Sequence, residues 1–152
     1  MSSKTTTTLA ELPSLKGQVL GVSEWFEVTQ DRVNTFADAT DDHQWIHVDV
    51  EKAKAGPFGG PIAHGYLTLS LVIPLFGELL KVDGVKMGVN YGLEKVRFPH
   101  PVPVGAKIRL NAKVVSVEDV PGGTQSTFDF TVEIDGVAKP ACVARTVYRQ
   151  YV

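Results

Sequence analysis

The stretch His64-Gly-Tyr-Leu-Thr-Leu-Ser-Leu-Val-Ile-Pro-Leu-Phe-Gly-Glu-Leu-Leu80 decides how the chain folds. Tyr66, Leu67, Leu69, Leu71, Val72, Ile73, Leu75, Phe76 and Leu79 leave no wide polar face. A helix that is apolar nearly all round is buried. The apolar run begins at Ile62 but holds His64, Pro74 and Glu78. Its longest uncharged part falls short of the ~20 apolar residues that cross a bilayer. A buried core helix is therefore expected, and no membrane partner. Pro74 removes one backbone hydrogen bond, so it should kink the helix or end its regular part. In front of the helix lies Gly56-Pro57-Phe58-Gly59-Gly60-Pro61, a cluster of breakers that reads as a loop.

Outward toward the C-terminus, Lys86 to Tyr151 is strand-like. Phe128, Phe130, Val132 and Ile134 alternate with Thr127, Asp129, Thr131 and Glu133, the period of a half-buried strand. Asp135-Gly136 then reads as a tight hairpin turn into a return strand, Val137 to Tyr148. Ile108, Leu110, Ala112 and Val114 alternate before the parity slips to Val115 and Val117, which one bulged residue explains. Met87 to Tyr91 and Leu93 to Phe98 bring the count to about five strands. Toward the N-terminus, Thr29 is a candidate N-cap for a helix with Val33, Phe36 and Ala37 on one face. Asp49 is a candidate cap for a second, Val50 to Ala55. The fold class is α+β: a long buried helix against a curved antiparallel sheet, with smaller helices on the N-terminal side.

The 152 residues give room for one domain. Fifteen Lys and Arg against 17 Asp and Glu leave a net charge of −2, without the basic excess of a nucleic-acid binder. One cysteine makes neither an internal disulfide nor a cysteine metal cage. Met1 to Thr8 is polar, unlike a secretory signal, so a cytoplasmic protein with a loose N-terminal tail is expected.

Chemistry concentrates in Asp41-Asp-His-Gln-Trp-Ile-His-Val-Asp49. The bland reading is a solvated loop. A metal site is a second reading, since His43 and His47 are four apart and share a helix face. Zinc proteases with that spacing carry Glu directly after the first His, where this chain has Gln44. No further well-spaced ligand set appears, so no metal is expected. The third reading is acid/base chemistry: Asp42 and His47 share one water across a turn anchored by Trp45 and Ile46. A second element is His64-Gly65, where the buried helix begins. Free N–H groups and the helix dipole suit such an end to a carbonyl oxygen that becomes an enolate. Gly65 permits close approach. Its structural alternative is that it merely lets the helix start near the sheet.

Three segments together resemble the MaoC-like, or hydratase 2, family of (R)-specific enoyl-CoA hydratases. They are Phe36-Ala-Asp-Ala-Thr-Asp-Asp-His-Gln-Trp-Ile-His-Val-Asp49, Gly59-Gly-Pro-Ile-Ala-His-Gly65, and Asn90-Tyr-Gly-Leu-Glu-Lys-Val-Arg-Phe98 followed by Pro101-Val-Pro-Val-Gly105. The likeness runs from about Gly21 to Tyr148 and favours the catalytic reading of the Asp-His cluster. It implies a hot-dog fold, an antiparallel sheet wrapped around a long central helix, over residues 16–152, with 1–15 a flexible tail. It implies that Asp42 and His47 activate a water that adds to a trans-2-enoyl-CoA, and that the backbone at Gly65 polarises the thioester carbonyl. Gln44 stands where the family has a helper Asn, Trp45 where it has Pro, and Asp41 where it has Gly before the catalytic Asp. An inward-facing Asp41 would hinder ionisation of Asp42; one facing solvent would not.

Weaker candidates for substrate binding are Arg97, for a CoA phosphate or a carboxylate partner, and Tyr66 and Tyr91, for an acyl tunnel or core packing. Cys142 on an apolar strand reads as a buried small hydrophobe, and His100 as an exposed loop residue. No cofactor is expected, CoA being part of the substrate. A rival function is a hot-dog acyl-CoA thioesterase, which often has a carboxylate on the central helix, here only Glu78 near its far end. Another is a non-catalytic acyl-CoA binding module. One such unit leaves an open sheet edge, so a homodimer is expected.

Overall fold

Thr29 accepts a hydrogen bond from the Arg32 N–H and starts helix α1, Gln30–Thr40. In the computed structural model, which describes residues 3–152, Val33 and Ala37 of α1 are fully buried. Asp41 ends α1 in the left-handed conformation, φ 58°, where Gly is otherwise favoured and Asp is among the tolerated residues. One turn of helix follows, α2, Trp45–Val48, then α3, Val50–Lys54, with Asp49 capping Lys52 N–H.

The apolar stretch forms α4, Gly65–Gly77. It continues for three residues beyond Pro74, so the proline does not end it. Leu67, Leu71, Val72 and Leu75 are buried. The helix stops earlier than the hydropathy suggests, because Leu80–Asp83 is a strand, β4. This strand pairs in parallel with β1, Thr5–Thr8. The expected flexible tail to residue 15 is thus corrected. The four consecutive threonines are good strand formers once a partner edge is available, and Leu12, in a short turn of 3-10 helix, is fully buried. Met1 and Ser2 lie outside the described residues.

The main sheet contains β2, Val19–Val22, β3, Phe26–Glu27, β5, Met87–Arg97, β6, Lys107–Val120, β7, Gly123–Ile134, and β8, Val137–Tyr151. Its order is β2-β6-β7-β8-β5, all antiparallel, with β3 also on β6. The two strands expected within 87–98 are one strand with register shifts at Asn90/Gly92 and Leu93/Lys95. The slip near Val115 is a register shift between Val114 and Ser116. The Asp135-Gly136 turn is present, with Gly136 at φ 77°. α4 lies on the inner face, where the Phe76 ring meets Phe128 at 4.7 Å, Phe130 at 4.9 Å and Tyr148 at 5.8 Å. Among the described residues no helix is long and apolar enough to cross a membrane.

Candidate active site

Two turns of chain meet at the start of α4. The first runs from Asp41 through α2; the left-handed residue reverses the chain and sets Asp42 beside that helix. The second is Ile62-Ala-His-Gly65. They are tied together by Ile62 N–H to Ile46 C=O, 2.9 Å, and Gln30 Nε2 of α1 holds the His47 C=O at 2.8 Å. The cleft between them, of about 370 Å³, is lined by Asp42, His47, His64, Gly65, Tyr66 and Phe98.

His47 is buried, and its Nδ1 lies 2.6 Å from the Ile62 carbonyl oxygen. A carbonyl only accepts, so Nδ1 carries the proton and the neutral ring keeps its lone pair on Nε2. Burial is the largest influence on this imidazole and pulls its pKa below the ordinary 6.5. The Ile62 bond pulls up, the adjacent His64 down, and Asp42 up. Asp42 is exposed to the cleft, and its Oδ1 accepts a long bond, 3.5 Å, from the Gln44 N–H. Gln44 thus supports Asp42 through its backbone; its side chain does not line the cleft. Asp41 faces solvent.

The first intrahelical bonds of α4, from Leu67 and Thr68, both end on the His64 carbonyl. The N–H groups of Gly65 and Tyr66 come before them and are the helix's open donors. A Cβ at Gly65 would meet the Phe98 ring at 3.2 Å. Glycine here is therefore a matter of space beside a cleft wall.

His64 is the residue that sequence reasoning did not place in the site. Its adjacency to Gly65 was the available signal. It is 3% exposed, its ring stacks on His47 with centroids 3.9 Å apart, and its Nε2 lies 2.9 Å from the Asp42 carbonyl oxygen. Asp42, His47 and His64 each offer one ligand atom within 4.8 Å of the others. Stacked rings keep their lone pairs in two nearly parallel planes, which suits hydrogen bonding better than convergence on one ion. The metal pair considered from spacing is not formed: His43 bonds Asp38 at 2.9 Å on the outside.

The weaker candidates separate. Tyr66 lines the cleft and is 73% exposed; Tyr91 lies on β5, exposed, beneath the Arg149 guanidinium at 3.7 Å. Neither packs in the core. Arg97 is exposed, away from the cleft lining, and bonds the Val96 carbonyl. His100 is half-buried, with its ring against Pro101 C=O, rather than exposed. Glu78 accepts from the Glu24 N–H at the far end of α4, removed from any role at the cleft.

The MaoC like domain matches residues 11–135 of this chain. The chain belongs to the MaoC-like dehydratase family. A 3-hydroxyacyl-thioester dehydratase Z of Mycobacterium tuberculosis is 53% identical over 147 residues, covering 96% of this chain and 97% of that one. Nodulation protein N of Rhizobium leguminosarum bv. viciae is 46% identical, covering 91% and 88%. The (R)-specific enoyl-CoA hydratase of Aeromonas caviae is 32% identical over 116 residues, covering 76% and 82%. A solved (R)-hydratase from A. caviae superposes with TM-score 0.72 at 24% identity, covering 88% and 94%. The chain is thus a MaoC-like hot-dog protein and a hydro-lyase, a dehydratase/hydratase.

Proposed function

We propose that this chain is an (R)-specific enoyl-CoA hydratase/dehydratase of the cytoplasm, adding water reversibly to trans-2-enoyl-CoA to give (R)-3-hydroxyacyl-CoA, with no cofactor beyond the CoA of its substrate. The observation that carries this reading is the pairing of a carboxylate, Asp42, with the unprotonated Nε2 of His47 beside the open N–H of Gly65. One cleft then offers two acceptors to a water and a donor to a thioester oxygen.

The water gives one hydrogen bond to Asp42 and one to His47 Nε2. As its oxygen bonds C3, one O–H breaks and Asp42 takes that proton. The π electrons of the double bond move toward the thioester oxygen, where the Gly65 N–H stabilises the enolate. Collapse of the enolate takes the proton from Asp42 to C2. His47 in its neutral state has no proton on Nε2 to donate, so its part is to hold the second O–H. Tyr66 at the rim contacts the thioester, and Arg97, next to Phe98 in the chain, is the candidate for a CoA phosphate.

From Gly65 the outer face of α4 leads past Leu69 to Ile73, about 12 Å along the axis. There a groove lies against Leu93, Val147 and Tyr148. The acyl chain runs along this face. β5 exposes Met87, Val89, Tyr91 and Leu93 beside the groove, and a row of apolar side chains on an edge strand invites a second copy. The working unit is a homodimer.

The deciding measurement is hydration of crotonyl-CoA, followed by the loss of enoyl absorbance. Asp42→Asn and His47→Gln should each lose about 10²–10⁴-fold in kcat while melting like the wild type. Wild-type activity in either variant overturns the assignment. Release of free thiol would favour a thioesterase, and enoyl-CoA binding without turnover a binding module. A series of trans-2-enoyl-CoA lengths then sets the chain-length preference.

A further inference from the structure

His64 occupies the N-cap position of α4 but makes no side-chain capping bond. Its imidazole reaches instead across 22 residues of sequence to the Asp42 carbonyl. Because that carbonyl only accepts, the proton sits on Nε2, and among the described residues the buried Nδ1 has no hydrogen-bond partner. The Nε2 bond is therefore the side-chain hydrogen bond that holds this ring among the described residues. The ring is wedged between Phe36, 4.9 Å away, and His47, stacked at 25°. It thus touches the backbone of the carboxylate residue, the face of the second acceptor, and, as the neighbour of Gly65, the donor for the thioester oxygen.

We infer that His64 is a positioning residue that clamps Asp42 to the start of α4, fixing the distance from the water-activating pair to the Gly65 N–H. The left-handed residue Asp41 precedes the clamped position. Chain reversal there sets direction, and the His64 bond sets depth. Among the described residues the Asp42 carboxylate is met only by the long Gln44 bond. Both half-sites must be held together for addition, because the water attacks C3 while the oxygen two carbons away gains charge. The inference rests on the hydration reading for its kinetic consequence and on geometry alone for the clamp.

The test compares His64→Gln with His64→Met. The two side chains have similar reach, but only Gln carries an N–H donor near the place of Nε2. His64→Met should lose about 10–100-fold in kcat with KM changed less than about twofold, the signature of misplaced groups rather than lost binding. His64→Gln should recover most of it. The backbone 13C shift of the Asp42 carbonyl should move upfield in the Met variant and stay near wild type in the Gln variant. Equal kcat in the two variants, or an Asp42 carbonyl shift unchanged in His64→Met, overturns the inference. Should the Met variant fail to fold, His64→Asn, whose donor is too short to reach, replaces it with the same expectations. If the wild type does not hydrate crotonyl-CoA, the hydration reading fails, and the carbonyl shift still decides the clamp.

Discussion

Strands β7 and β5 both pair with β8, one on each side, yet they live in different surroundings. Phe128, Phe130 and Val132 of β7 are at most 1% exposed, whereas Met87, Val89, Tyr91 and Leu93 of β5 are 37–57% exposed. Both rows are apolar at alternate positions, so period alone does not distinguish them. The cover does. α4 brings Phe76 down on β7, and among the described residues no element of the same chain lies over β5 in that way. An apolar row without a cover points to a neighbouring chain, and an apolar row with one points to the core.

The comparison is broken most severely from the β7 side. Phe130→Ala should remove about 3–5 kcal/mol of stability through lost burial and a residual cavity, seen as a lower denaturant midpoint. It should leave the association state of the molecules that remain folded unchanged. The reverse pattern is expected on β5. Tyr91→Glu combined with Leu93→Glu should turn the proposed dimer into a monomer by analytical ultracentrifugation, with hydration lost alongside. Within each folded chain, surface changes of this kind cost within about 0.5 kcal/mol per site. A double variant that stays dimeric would remove β5 from the interface.

A smaller effect sharpens the contrast from the outer face. Arg145 on β8 holds Asp129 on β7 through two bonds of 2.8 and 2.9 Å. The hydrogen bond, first of all, keeps the Asp129 carboxyl below its ordinary 3.8. A depressed carboxyl stabilises the fold above its unfolded pKa and loses that contribution as pH falls through the folded value. Both side chains are more than 40% exposed, so Arg145→Met should cost at most ~1 kcal/mol at pH 7. Wild type and variant should converge in thermal melts as the pH falls through the folded-state value of Asp129. A difference that persists at low pH would show that Arg145 acts by packing instead.

What the sequence disclosed follows from how local each cause is. The caps at Thr29 and Asp49, the bulge after Val114 and the turn at Asp135-Gly136 are written in adjacent residues, and all are present. Of the two expectations for Pro74, a kink or an end, the end does not occur, because packing of Leu75 and Phe76 holds the last turn in place against one lost bond. The threonine strand was invisible because it exists only by pairing with β4, over 70 residues away. In the site, Asp42, His47 and Gly65 were legible from motif order, and the structure brings them to one cleft. His64 was not, because its significance lies in a contact with a carbonyl oxygen 22 residues back. Residue type alone left Tyr66 and Tyr91 open between an acyl tunnel and core packing; which side of a helix or strand faces a core depends on the cover, and both lie exposed.

One quiet residue has a practical use. Cys142, the single cysteine, is 1% exposed, and burial pushes its thiol up to about 11. At pH 8 only about one thiol in a thousand is the reactive thiolate, and no reagent reaches it without unfolding. The native chain is therefore close to silent toward maleimides and other thiol labels. A cysteine introduced at an exposed β5 position, Val89→Cys for example, would take a dye or a spin label as the sole reactive site. The distance between two copies could then be read spectroscopically without first deleting a native thiol.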